Sequence, residues 1–324
     1  MASRALRDRR ALEFAVAAAI LLLTLAFFWP LIPLGEGRAD PADMTLLGPG
    51  AELASSSLLN SSELAYDSIW VDIQEEEVLR AQLSSEEATE LLERAAQSAL
   101  DNAQGDLRER ILRGAEAYLA MSNASLSSAE SAKLLDSARP RVNSALDLLL
   151  AGDVNGAIEE WLSVKGTVLE ARRAIGDALI ELSSVDPGAL LTDEHRSALN
   201  SSTSRLMDLS AELDQLIYLF SLIERDPGAA NSAINAALAA RRGELDPADA
   251  SRLTEDPSVK SLLSDSNSLD PGKAGRFASR VSEFRSLLAA LLSCSSGQST
   301  GQAGAPTPGT PGGGGAGRGE RSDD

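Results

Sequence analysis

Residues 199–223, LNSSTSRLMDLSAELDQLIYLFSLI, decide the fold class. Leu199, Leu206, Leu209, Leu213, Leu216, Phe220 and Ile223 recur along this stretch, and after the first interval the steps alternate between three and four. That spacing puts the large apolar side chains on one helical face, where a strand would need alternation at every second residue. Trp161, Val164, Val168, Ala171, Ile175, Leu179 and Leu182 repeat the pattern upstream, and Phe277, Val281, Phe284, Leu288 and Leu291 repeat it downstream. The helix expected at 154–185 would alone run about 45 Å at ~1.5 Å per residue. Seams of this kind predict an elongated antiparallel bundle or coiled-coil hairpin of long amphipathic helices. No hairpin signal of comparable strength competes with them.

Composition agrees. Hydrophobic residues make up 44% of the 324 residues but aromatics only 4%, so the core must be built from Ala and Leu with Ser between them. Small aliphatic residues with few β-branched or aromatic partners favour helix-on-helix packing. The expected class is all-α.

Local punctuation divides the pattern into helices. Ser84 with Glu87 and Ser127 with Glu130 match the S-x-x-E capping box. Asp-Pro pairs at 186–187, 226–227, 246–247, 256–257 and 270–271 suit helix starts, with Asp as N-cap and Pro preset at the first helical position. Three of these are Asp-Pro-Gly, but the sequences between them do not align, so they are shared punctuation and no repeat. Pro140 is expected to kink its helix or begin a new one. Leu149 to Asp153, leading to Ala157, Ile158 and Trp161, looks like the turn of a tetratricopeptide-type hairpin. It occurs once, so it supports a helical hairpin and no membership of that family.

The N-terminus has a different character. Arg4, Arg7, Arg9 and Arg10 precede an apolar run over 14–34, which includes Phe14, Leu22, Phe28 and Trp29. Its length meets the ~20 residues needed to cross a bilayer as a helix. The arginines keep the N-terminal end in the cytoplasm, and Trp29 with Phe27 and Phe28 suits the far interface. Pro30 and Pro33 then end the helix. The expected topology is a single-pass anchor with the body outside the cell membrane. The alternative is a cleaved signal peptide followed by secretion, with Gly37 and Ala39 as small residues before Asp40. A prepilin-type leader or a twin-arginine signal fits poorly because Glu13 falls where an apolar residue is wanted.

The resulting map is a cytoplasmic basic stretch at 1–13, the membrane segment at 14–34, a spacer at 35–61 with a short helix at 50–60, and a helical body at 62–294 that divides near 185–193. A tail at 295–324, rich in Gly, Pro, Ser and Thr, lacks the apolar residues to offset its ordering entropy and is expected to be disordered.

Charge narrows the function. The chain carries −19 overall, and residues 1–38 hold five Arg against three acids, which leaves −21 for the remainder. Such a body repels phosphate backbones, so no nucleic-acid partner is expected. The single cysteine, Cys294, allows no intramolecular disulfide and no CxxC site, and it reads as an inert thiol.

Motif matches fare no better. Gly297-Gln298-Ser299-Thr300-Gly301 satisfies G-x-S-x-G, and the glycines of 312–317 satisfy G-x-G-x-x-G, but both fall in the tail without the strand and helix the chemistry needs. Asp153-Val154-Asn155-Gly156 resembles the middle of a calcium loop, yet Ala151 and Leu162 stand where acids are required. Glu75, Glu76 and Glu77 read as a solvated helix face. His195, the one histidine, follows Thr192-Asp193-Glu194 in the first turn of a helix and is expected at the surface. Asn60, Asn123 and Asn200 begin N-x-S triplets, usable for glycosylation outside the cell and each expected near a helix end.

No catalytic, cofactor-binding or metal-ligating set emerges, and no activity as an enzyme is expected. The sequence leads to an anchored extracytoplasmic helical protein with an interaction, scaffold or envelope-associated role. Its expected partners are the membrane, through 14–34, and a protein or a second copy, through the helical seams. The alternative is an exported solute- or signal-binding ectodomain. A chemoreceptor-like sensor would need a cytoplasmic output domain, and ten N-terminal residues are too few.

Overall fold

The computed structural model describes residues 41–297, with side-chain surroundings from residue 45 onward. Among these residues the chain is all-helical, without strands, and packs as a bundle. The helices, numbered from the first described residue, are α1 (Pro41–Ser68), α2 (Glu75–Asn102), α3 (Gly105–Ala151), α4 (Val154–Ser184), α5 (Asp193–Arg225), α6 (Pro227–Arg241), α7 (Pro247–Glu255), α8 (Pro257–Asp265) and α9 (Ala278–Ser295). No described helix is long and apolar enough to cross a membrane. The segment 14–34 and the tail beyond Gly297 lie outside the described residues.

The seams behave as their spacing requires. The seam positions of the opening stretch, Leu199, Leu206, Leu209, Leu213, Leu216, Phe220 and Ile223, are all buried on α5. On α4, Trp161, Val164, Val168, Ala171, Ile175 and Leu182 are buried while Leu179 is half-buried, and Phe277, Val281, Phe284, Leu288 and Leu291 at α9 are buried.

Two compact units share these helices. The first comprises residues 41–60 with Arg80–Leu126 and Ile180–Ser202. Its core is built from small residues, among them Ala51, Ala54, Ala88, Ala95 and Ala115, with Leu58 and Leu92 between them. A Cβ added at Gly50 would stand 2.8 Å from Cγ of Leu92, so α1 and α2 approach as closely as they do only because that side chain is missing. Three hydroxyls fill the same seam: Ser57 of α1, Ser85 of α2 and Ser125 of α3 bond one another at 2.5, 2.7 and 2.7 Å. The Ala81 carbonyl lies 2.9 Å from both the Ser57 and the Ser85 hydroxyl, so the three protons of the cluster are shared among these contacts. Buried hydroxyls must be satisfied, and a cluster that offers each proton an acceptor does this while keeping all three helices close.

The second unit comprises Ser61–Leu79, Ser127–Leu179 and 203–297. Trp161 stacks on Phe220 at 4.5 Å, joining α4 to α5, and its indole N–H donates to Glu224. The C-terminal helices pack on one another, with α9 against α6 and α7. At the α3–α4 junction Gly152 has φ +91°, and the Asp153 N–H reaches back to the Leu148 carbonyl at 2.9 Å, a Schellman ending. Asp153 then caps α4 by accepting the Gly156 N–H at 3.0 Å. The residues that resembled a calcium loop are thus an end and a start of two helices.

Several expectations need correction. The stretch 41–61, read as a spacer with a short helix at 50–60, belongs to α1. Its Gly48-Pro49-Gly50 suggested a turn, but Pro49 is exposed and Gly50 is a contact point, so the helix continues. Pro140 neither ends nor restarts a helix, because α3 runs through it. It too faces solvent, where the carbonyl it frees can be hydrated. The two S-x-x-E matches lie inside α2 and α3 and cap nothing. Of the Asp-Pro pairs, those at 226, 246 and 256 open α6, α7 and α8 with Asp side-chain caps, and that at 186 opens a 3-10 turn. Asp270-Pro271 opens only a turn, in which Asp270 accepts the Gly272 N–H.

Candidate functional site

The densest chemistry in the first unit surrounds His195, which is 5% exposed and not at the surface as its polar neighbours suggested. The expectation fails because the groups that bury it are remote in sequence. Tyr118 of α3 reaches Nδ1 at 2.6 Å, and Glu52 of α1 lies 3.2 Å from Nε2. The Tyr118 oxygen also accepts the Leu191 N–H at 2.7 Å. Burial pushes the phenol well above its ordinary value, so it keeps its proton and donates it to Nδ1. Nε2 then carries the imidazole proton and gives it to the Glu52 carboxylate.

Carboxylate, imidazole and phenol in sequence are the parts of a proton relay, but Tyr118 is wholly buried and the described concavities lie elsewhere. The arrangement instead ties α1, α3 and the start of α5 to the segment through Leu191.

A second buried polar group stands in the other unit. Glu212 of α5 is buried, and its Oε1 accepts the Arg276 N–H at 2.8 Å. Burial raises its carboxyl above the ordinary range, opposed chiefly by that backbone bond. The approach requires Gly275, which has φ +52° and whose added Cβ would stand 2.8 Å from the carboxylate carbon. Arg276 itself lies over the Tyr66 ring at 4.0 Å and bonds Asp67 with Nη2 at 2.5 Å, while Phe277 stacks on Trp70. Glu212 thus fixes the entry to α9.

The residues singled out by sequence are not brought together. Arg4, Arg7, Arg9, Arg10, Phe14, Leu22, Phe28 and Trp29 lie outside the described residues, as does all of the G-x-S-x-G match beyond Gly297. Asn60, Asn123 and Asn200 are exposed, but each sits within a helix and not near its end. The serines that complete their triplets, Ser62, Ser125 and Ser202, are buried. Glu75, Glu76 and Glu77 occupy the first turn of α2, where negative charge suits the helix dipole. Cys294 is half-buried and directs its thiol at the Leu245 carbonyl. No group of three or more His, Cys, Asp or Glu among the described residues could hold a metal ion.

The fold defines a class, an all-helical protein with bundle-like packing, and nothing narrower. No protein-family model, curated protein or solved structure matches the chain.

Proposed function

We propose that this is a membrane-tethered, extracytoplasmic helical-bundle protein that works by binding other proteins, as a scaffold, envelope component or accessory subunit, and not by catalysis. The observation that carries this reading is the arginine-flanked apolar run at 14–34 joined to an acidic helical body. The arginines hold the N-terminus in the cytoplasm and direct everything after residue 34 outward. The polar groups of the body support the non-catalytic part. The His195 and Glu212 groups are both spent on holding helices together.

Membrane fractionation with sequencing of the mature N-terminus tests the tether. The full-length chain in the carbonate-washed membrane fraction is the expected result. A soluble protein beginning near Asp40 defeats the anchor and leaves a secreted form.

One observation favours a second reading, an exported binder of solutes or signals. A concavity of about 330 Å³ lies beside α9, lined in part by Ser266, Asn267, Arg285 and Ser286 with Leu263 and Leu288. Its size falls at the lower edge of the ~300–1,000 Å³ typical of small-molecule sites. Thermal stabilisation by a small polar solute, lost on Arg285→Ala, would favour this reading over the first.

A further inference from the structure

The concavity beside α9 is lined by a single charged residue, Arg285, in a body that is otherwise strongly acidic. Arg285 gives Nη1 to the Leu269 carbonyl at 3.1 Å and meets no carboxylate among the described residues. The acids near it in sequence are engaged elsewhere: Glu283 lies 3.8 Å from Arg241, and Asp265 pairs with Arg225 at 2.5 Å. The bond to Leu269 anchors the guanidinium and leaves its Nε–Nη2 edge without a partner among the described residues. Arg172 holds Asp214 with that same pair of donors, at 2.8 and 3.1 Å, so this is the edge that takes a carboxylate as a fork. The two other described concavities lack such a cation. One contains the Arg225–Asp265 pair, and the other sets Arg94 beside Glu90 and Glu93.

The residues around Arg285 add donors at one end and apolar surface at the other. Ser282 and Ser286 share its face of α9, and Asn267 lines the same concavity. Ser286 accepts Nη2 of Arg241 at 3.1 Å, which leaves its own hydroxyl proton to give. Ser282 and the Asn267 amide make no hydrogen bond among the described residues, so their donors are free as well. Ala289 and Leu292 continue the face at steps of four and three from Arg285. Leu292 is 45% exposed, and the buried Leu263 and Leu288 border it in the lining. Arg285 to Leu292 spans about 10 Å at ~1.5 Å per residue. A cationic fork with hydroxyl and amide donors, followed by a short apolar track, suits a carboxylate carrying an apolar tail. A dianion such as phosphate would set two charges against one cation in an acidic body.

We propose that this concavity binds a small amphipathic monocarboxylate. The head sits on Nε and Nη2 of Arg285, among Ser282, Ser286 and Asn267, and the tail runs along Ala289 and Leu292. This rests on the second reading above, that of an exported binder, and names the class of solute it takes. It does not depend on whether the chain stays tethered.

The test is calorimetric titration of the full-length chain in phosphatidylcholine nanodiscs with sodium hexanoate, empty nanodiscs giving the blank. A Kd of about 1 mM or tighter is expected, ordinary for a ligand of so few atoms. Acetate, which lacks the tail, and hexylamine, which reverses the charge, should each bind at least tenfold more weakly. Arg285→Gln is expected to weaken hexanoate at least tenfold. Because that change also removes the bond to Leu269, Ser282→Asp gives a second measure at an exposed position. It should weaken hexanoate at least tenfold at unchanged melting temperature. No heat beyond the blank, hexanoate binding no tighter than acetate or hexylamine, or binding unmoved by Ser282→Asp would overturn the proposal. Thermal denaturation in low-millimolar glucose separates the two claims: a chain that glucose stabilises but hexanoate does not bind remains a solute binder and loses the carboxylate.

Discussion

The Tyr118 hydroxyl stands 2.6 Å from Nδ1 of His195 and on the same oxygen takes the Leu191 N–H. One buried oxygen therefore serves two elements, and its loss leaves both a backbone donor and an imidazole nitrogen unpaired. Tyr118→Phe is expected to destabilise the protein by about 1–3 kcal/mol, the usual cost of stranding buried polar groups. Urea denaturation measures it. His195→Ala removes the acceptor of the same hydroxyl–imidazole bond and opens a cavity, so the double variant should lose less than the sum of the two.

Glu212 sets a pH dependence with a definite sign. Burial raises its carboxyl in the folded state above the unfolded value. Folding therefore favours the protonated form, and the contribution of this group is fully present below the unfolded value and lost as pH rises through the folded one. Glu212→Gln keeps an acceptor for the Arg276 N–H without the buried charge. Relative to the native chain it should be more stable at pH 7 than at pH 4, by paired denaturant titrations. The opposite trend would mean that the backbone bonds outweigh burial.

The serine ring is expected to tolerate deletion better than enlargement. Ser125→Ala removes one member and leaves Ser57 and Ser85 bonded to each other and to Ala81, at a cost of about 1 kcal/mol. Ser125→Val must push three close-packed helices apart and should cost about 1–3 kcal/mol, with a stranded hydroxyl in addition. Thermal unfolding of the pair distinguishes the two: equal losses would show that the seam has slack.

These contrasts follow what was legible in the sequence. α5 was readable because its buried positions are large and its exposed ones polar. α1 was not, since Gly50, Ala51, Ala54, Ser57 and Ser61 are as small and polar as a linker. They serve packing at close approach, which no local pattern reveals until Leu92 or Ser85 is placed opposite. Ser84 and Ser127 misled for the same reason, as serines are common inside these helices and not only at their ends. His195 was misjudged because Asp193, Glu194 and Arg196 surround it in sequence, while Tyr118 and Glu52 surround it in space. Glu212 is one acid among several on an amphipathic helix, and only the positive φ of Gly275 and the N–H of Arg276 give it a role.

The central claim is that the acidic helical body is tethered to a membrane and faces outward. Its most direct test places one cysteine, Met207→Cys, at an exposed position in a Cys294→Ser background and treats intact cells with a membrane-impermeant maleimide. The account predicts labelling before lysis, on a full-length chain that stays with carbonate-washed membranes. Labelling only after lysis would put the body inside and contradict the claim.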